Sequence, residues 1–175
     1  MISHKYKTIF IHINRTGGSS IETVFNKELS NHERPNKIIK KIGLKKWNSY
    51  FKFTFVRNPW DRIVSIYHHR KQNRKIINQK FQKWIYSIDE FPTINQIWWI
   101  KHDGKIDMDF IGKFENLEID FKKVCRKIKA KFNLPHTNAS KHIHYSSYYD
   151  LDSKKFVAKV CEEEIELFKY KFDDL

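Results

Sequence analysis

Residues 9–22, I-F-I-H-I-N-R-T-G-G-S-S-I-E, hold a buried strand, a glycine turn and a helix start in one short run. Ile9, Phe10, Ile11 and Ile13 give the apolar stretch that a parallel strand covered on both faces requires. Gly17 and Gly18 allow a sharp turn and a close backbone approach to a ligand. Ser19 followed by Glu22 reads as a capping box, and Ile21, Val24, Phe25 and Leu29 recur at helical spacing. Amide groups at a helix start, with Arg15 beside them, make a place for a phosphate or sulfate. The competing reading is a strand–turn–helix whose glycines serve packing alone. There is no G-x-x-x-x-G-K-[ST] and no G-x-G-x-x-G, so ATP-hydrolysing and dinucleotide-binding classes find no support here.

A second stretch, F51-K-F-T-F-V-R-N-P-W-D-R-I-V-S-I-Y-H-H69, repeats the pattern. Phe51, Phe53 and Phe55 alternate with Lys52 and Thr54, as in a strand. Arg57 stands where that strand ends, and Pro59 suits the first position of a following helix. Ser65 falls in the second turn of that helix. A guanidinium at the strand end and a hydroxyl from the helix can share one phosphate. The plainer alternative makes Arg57 and Arg62 surface ion-pair partners of Asp61 or another carboxylate, and Ser65 an ordinary helix serine.

Strands are expected near 7–14, 51–57 and 109–114, and helices near 19–29, 36–42, 59–72, 77–87, 117–131 and 153–169. Leu117, Phe121, Val124, Cys125 and Ile128 form a core stripe. Residues 88–108 are poorly patterned, and 132–150 read as a long functional loop. Alternating strands and helices imply an α/β fold with a parallel sheet and ligand at the strands' C-terminal ends. Arg15 and Arg57 both fall at such ends.

A chain of 175 residues is expected to be one domain spanning 1–175. It has no apolar run of membrane-spanning length and no signal-peptide core, which points to a cytoplasmic protein. Cys125 and Cys161 sit in amphipathic helical patterns and read as buried free thiols, and no His/Cys spacing suggests a metal. The net charge of +14 asks for an anionic partner. An anionic nucleotide, an acidic glycan or a nucleic acid would each answer it, the last through basic runs such as 69–75. Most phenylalanines fall at strand or helix spacing and belong to a core, which weakens a base-stacking role.

I-N-R-T-G-G-S-S-I resembles the 5′-phosphosulfate loop of sulfotransferases that use 3′-phosphoadenosine 5′-phosphosulfate (PAPS). F-V-R-N-P-W-D-R-I-V-S-I-Y resembles their 3′-phosphate motif, in the form found in the carbohydrate sulfotransferase branch. Weaker matches follow in the family's order: W47-N-S-Y-F-K-F53, D109-F-I-G-K-F-E-N-L117, L134-P-H136, N138-A-S-K-H-I-H-Y-S-S-Y-Y-D150 and E166-L-F-K-Y-K-F172. The resemblance spans nearly the whole chain. It implies a P-loop-like three-layer fold with a central parallel sheet, and sulfuryl transfer from PAPS, without a metal, to a hydroxyl of an acceptor, a carbohydrate in this branch. Arg15, Thr16, Gly17, Gly18, Ser19 and Ser20 would hold the 5′-phosphosulfate, and Arg57 and Ser65 the 3′-phosphate. Ser140, Lys141 and Tyr145 match a region that closes over the nucleotide in the family, and of these Lys141 would join the nucleotide-holding residues.

The family usually carries lysine where this chain has Asn14 and Arg15. Arginine supplies charge and two hydrogen bonds but is not a proton donor, so charge stabilisation survives the exchange and general-acid help does not. A slow enzyme, or a nucleotide binder without turnover, is therefore an alternative. The acceptor proton needs a base, and histidine suits that task. His32 is the first candidate, because the resembling glycan sulfotransferases carry a functional histidine between the two phosphate motifs. Glu22 is the second, as some relatives use a glutamate on the helix after the loop, although its capping role accounts for it. His12 reads as an interior histidine and His68 and His69 as surface or partly buried groups; Gln96, Trp98 and Trp99 are candidates to line an acceptor cleft, with core burial the plainer reading of the two tryptophans.

Overall fold

The computed structural model describes residues 1–25, 32–73, 76, 79–88, 94–135 and 143–173. The chain divides into two compact units, Met1–Val56 with Gln96–Asn138 and Arg57–Asn95 with Ala139–Leu175.

The first unit is built on a sheet in the order β1 (Ile2–Ser3), β2 (Thr8–Ile11), β3 (Phe51–Val56), β6 (Phe110–Lys113). β2, β3 and β6 run parallel, with Ile11 opposite Thr54 and Val56 opposite Lys113, and β1 pairs antiparallel to β2. On one face Phe10, Phe53 and Phe55 pack with Ile21, Phe121, Val124 and Cys125, the rings of Phe10 and Phe53 stacking at 4.9 Å. Each such buried ring contributes about 1.5–3 kcal/mol.

The polar alternates of β3 are buried as well. Thr54 donates its hydroxyl to the Ile11 carbonyl at 2.8 Å. Lys52, only 5% exposed, lies 3.3 Å from Asp109 and 3.6 Å from Asp107. The alternation of 51–55 thus describes two covered faces, one apolar and one satisfied by hydrogen bonds and ion pairs.

Around the sheet the same unit carries α1 (Gly18–Val24), α2 (Pro35–Ile42), α3 (Leu44–Ser49), α6 (Gln96–Ile100) and α7 (Leu117–Lys127). The helix expected at 19–29 ends at Val24 with Phe25 as its C-cap, and the expected residues 26–29 lie outside the described residues. The helix expected at 117–131 stops at Lys127 in a Schellman turn. Lys129 takes φ 53, Ala130 N–H donates to the Cys125 carbonyl at 3.0 Å and Lys129 N–H to that of Arg126 at 3.3 Å. With lysine in the place glycine usually fills, nothing in the sequence marks that stop. The stretch 88–108 holds α6 and a hairpin, β4 (Lys101–His102) and β5 (Lys105–Ile106). Asp103 and Gly104 turn it with φ 47 and 76, the two positive values of a type I′ turn.

The second unit comprises α4 (Pro59–Gln72), α5 (Phe81–Ile85), α8 (Leu151–Val160), α9 (Glu162–Phe168) and a 3₁₀ turn at Tyr145–Tyr148. Its core gathers Trp60, Ile63, Val64, Tyr67, Phe81, Trp84, Tyr145 and Val157. Of the helix expected at 77–87 only Phe81–Ile85 is helical among the described residues. The helix expected at 153–169 is two helices bent at Cys161. Backbone bonds from Cys161 to Val157 and from Ile165 to Cys161, both 2.9 Å, continue through the joint. Three glutamates open α9, where they complement its dipole, and Glu164 among them turns fully inward.

Arg62, expected at the surface, is also fully buried. Burial lowers its guanidinium to about 10, and the charge of Glu164 opposes that fall. It donates to the Ile94 carbonyl. Cys125 and Cys161 are buried free thiols, as expected. Among the described residues no helix is long and apolar enough to cross a membrane.

Candidate active site

β2 runs directly into the turn that the sequence singles out. Arg15 holds φ 63 and Gly17 φ 81, with Thr16 and Gly18 on the negative side. Alternation of this kind turns successive backbone N–H groups toward one concavity, the arrangement that collects anions. A left-handed arginine stores about 1 kcal/mol or more of backbone strain, and such strain gathers at functional positions.

The glycines have a second reason. A methyl on Gly17 would stand 2.8 Å from Leu117 and 3.1 Å from Phe114, and one on Gly18 would fall within the His12 ring. The missing Cβ atoms therefore make room for protein side chains. Thr16 is fully buried and donates its hydroxyl to the Ile13 carbonyl at 2.8 Å, which closes the turn and leaves its backbone amide as its contribution to an anion. Ser19 is half-buried and Ser20 buried.

The capping box expected of Ser19 and Glu22 does not form. The N-cap is Gly17, no side chain caps α1, and Ser19 lies inside the helix. Glu22, fully buried, instead sets its carboxylate 3.1 Å from His12 Nδ1. His12 is thus an interior histidine, as expected, but one paired with a carboxylate beside the turn. His32 meets the same group: its Nδ1 lies 2.8 Å from the His12 carbonyl oxygen, and the two rings stand edge-to-face at 4.3 Å. A carbonyl only accepts, so Nδ1 carries the proton and Nε2 of the neutral ring is the proton-accepting nitrogen. The Trp99 ring meets His32 edge-on at 5.9 Å. Both base candidates, Glu22 and His32, therefore converge on His12, three residues before Arg15.

In the second unit each residue of R57-N-P-W-D61 has its own task. Asn58 caps α4 by accepting from Trp60 N–H at 3.1 Å, and its amide donates to the Lys171 carbonyl at 2.9 Å. Pro59 opens the helix, and Trp60 packs edge-on against Phe172 at 5.4 Å. Asp61 accepts Nε of Arg57 at 2.8 Å and fixes the plane of a guanidinium that is 7% exposed. The alternative ion pair of the sequence reading is therefore real. It is made through Nε. Ser65 is fully buried on the same helix.

His68 lies 2.8 Å from the Tyr148 hydroxyl. Gln96 is fully buried and Trp99 nearly so, whereas Trp98 is half-buried with the Arg34 guanidinium 3.9 Å from its ring centre. Lys141 and Ser140 lie outside the described residues. Arg34 escaped the sequence reading, although the proline after it forces an extended backbone there.

A mixed α/β chain with a parallel-rich sheet, a strained basic turn and a carbonyl-anchored histidine beside it has the parts of a group-transfer enzyme acting on an anionic donor. The chain belongs to the sulfotransferase family, whose profile matches residues 1–171. It is 38% identical over 93 residues to an uncharacterised protein of Archaeoglobus fulgidus, a match covering 50% of this chain and 75% of that protein. No solved structure matches it.

Proposed function

We propose that residues 1–175 act as one P-loop-like sulfotransferase domain that moves a sulfuryl group from PAPS to a hydroxyl of a carbohydrate acceptor. The family match running through both units supports treating them as one working domain. Arg15 and the backbone amides of Thr16, Gly17, Gly18, Ser19 and Ser20 hold the 5′-phosphosulfate. Arg57, oriented by Asp61, and Ser65 hold the 3′-phosphate. Lys141 is assigned to the nucleotide by its motif alone.

The bound donor supplies an activated sulfuryl group, and the chain's residues do the rest. His32 Nε2 accepts the acceptor's hydroxyl proton while that oxygen forms its bond to sulfur. The bond from sulfur to the 5′-phosphate oxygen breaks, and the electron pair it leaves there is stabilised by Arg15 and the turn amides. The observation that carries the reading is the His32 ring anchored at Nδ1 on the His12 carbonyl, in one unit with the Arg15 turn. Because arginine does not give up a proton, this site works by charge rather than by general-acid catalysis. A nucleotide binder with little turnover is the neighbouring possibility, set apart by a sulfate-transfer assay on the same protein.

Replacing Arg57 with Ala is expected to weaken binding of 3′,5′-bisphosphoadenosine (PAP) by about 1.5–3 kcal/mol, roughly 10- to 150-fold. Calorimetric titration reads this directly, and an unchanged affinity would remove Arg57 from the nucleotide site.

A further inference from the structure

Resting on the reading of His32 as the base, we propose that Arg34, held flat on Trp98, recognises an anionic group of the acceptor, a carboxylate or sulfate next to the hydroxyl that His32 deprotonates. Arg34 takes φ −78 and ψ 161 ahead of Pro35, an extended backbone, and both His32 and Arg34 reach one short helix, His32 against Trp99 and Arg34 against Trp98. Burial also separates them from the residue between. His32 is exposed and Arg34 half-buried, while Glu33 between them is 9% exposed and turns to Lys41 at 2.5 Å and Lys37 at 3.4 Å. Base and guanidinium thus stand at one helix, two residues apart along the chain, a spacing of about 6–7 Å in extended backbone. That is roughly the width of a sugar ring.

Arg34 is fixed in place by uncharged groups. Its Nε donates to the Trp98 carbonyl at 3.0 Å, and its guanidinium carbon lies 3.9 Å from the Trp98 ring centre. Both contacts leave the terminal nitrogens, whose parallel N–H groups form the edge that forks a carboxylate or sulfate. Among the described residues no carboxylate pairs with Arg34. Arg57 has Asp61, and the neighbouring Glu33 is committed to lysines. A cation held rigidly without a counter-charge is built to receive one.

Trp98 and Trp99 stand perpendicular at 5.2 Å on α6, so one short helix carries both the platform for Arg34 and the ring against His32. The chain onward from Arg34 to Lys52 holds Lys37, Lys40, Lys41, Lys45 and Lys46 and no Asp or Glu. The field there favours an acidic acceptor.

The test compares binding of p-nitrophenyl β-D-glucuronide and p-nitrophenyl β-D-glucoside to the full chain with saturating PAP. The wild type is expected to bind the glucuronide at least about tenfold more tightly. Arg34→Ala should abolish that preference, and Arg34→Lys should restore only part of it, since an ammonium keeps the charge and loses the fork. PAP affinity should be unchanged in both variants, and both should still unfold cooperatively, with a midpoint lowered by no more than several degrees in Arg34→Ala. Equal affinity for the two sugars, no binding of either, or a preference that survives Arg34→Ala would overturn the proposal while PAP still binds. Failure of PAP to bind the wild type would overturn the sulfotransferase reading, and this one with it.

Discussion

Replacing His32 with alanine is expected to cut turnover by about a hundredfold or more while leaving PAP affinity unchanged. His32 is exposed, and its hydrogen bond to the His12 carbonyl is worth about 1 kcal/mol, so the variant should fold. What disappears is a ring whose Nδ1–H is committed to a carbonyl and whose Nε2 is thereby set to accept a proton. Single-turnover sulfate transfer with labelled donor, alongside a PAP titration, separates chemistry from binding. Activity within a few-fold of wild type would move the base role elsewhere. Glu22 is the next candidate, although its full burial and its 3.1 Å approach to His12 fit a residue that orients rather than one that meets substrate.

Replacing Arg62 with methionine should cost about 3–5 kcal/mol of stability, because it strands the buried carboxylate of Glu164 without its opposite charge. Burial, with Glu164 beside it, also pushes the Cys161 thiol well up. Adding Glu164→Leu to the same chain should recover most of the loss, since an apolar pair of similar volume removes both charges together. Urea unfolding of the two single variants and the double closes the cycle. A loss below about 1 kcal/mol in Arg62→Met would show that the two groups are not coupled.

Elements whose signals are local were legible in the sequence. The apolar run at 9–13 and the alternation at 51–55 gave the two central strands, and Pro59 after Asn58 gave the start of α4 to the residue. The Schellman stop at Lys129 and the bend at Cys161 were not legible, because the first uses a left-handed lysine and the second has no glycine or proline to mark it. The hairpin at 101–106 carried its signal in Asp103-Gly104, which the surrounding lack of periodicity obscured.

The site divides the same way. Arg15, Gly17 and Arg57 stood out by position, whereas Glu22 looked like a helix cap because its true partner, His12, is ten residues back in sequence. Only packing of α1 onto the end of β2 brings that pair together, and spacing rules do not reach such contacts.

Calorimetric titration of the intact chain with PAP, with and without Mg²⁺, bears most directly on the whole account. A saturable one-to-one isotherm, indifferent to Mg²⁺ and absent with ATP–Mg²⁺ at the same concentrations, is the predicted result. No heat with PAP, together with oligonucleotide binding that falls steeply with salt, would contradict it and make the excess positive charge a nucleic-acid surface instead.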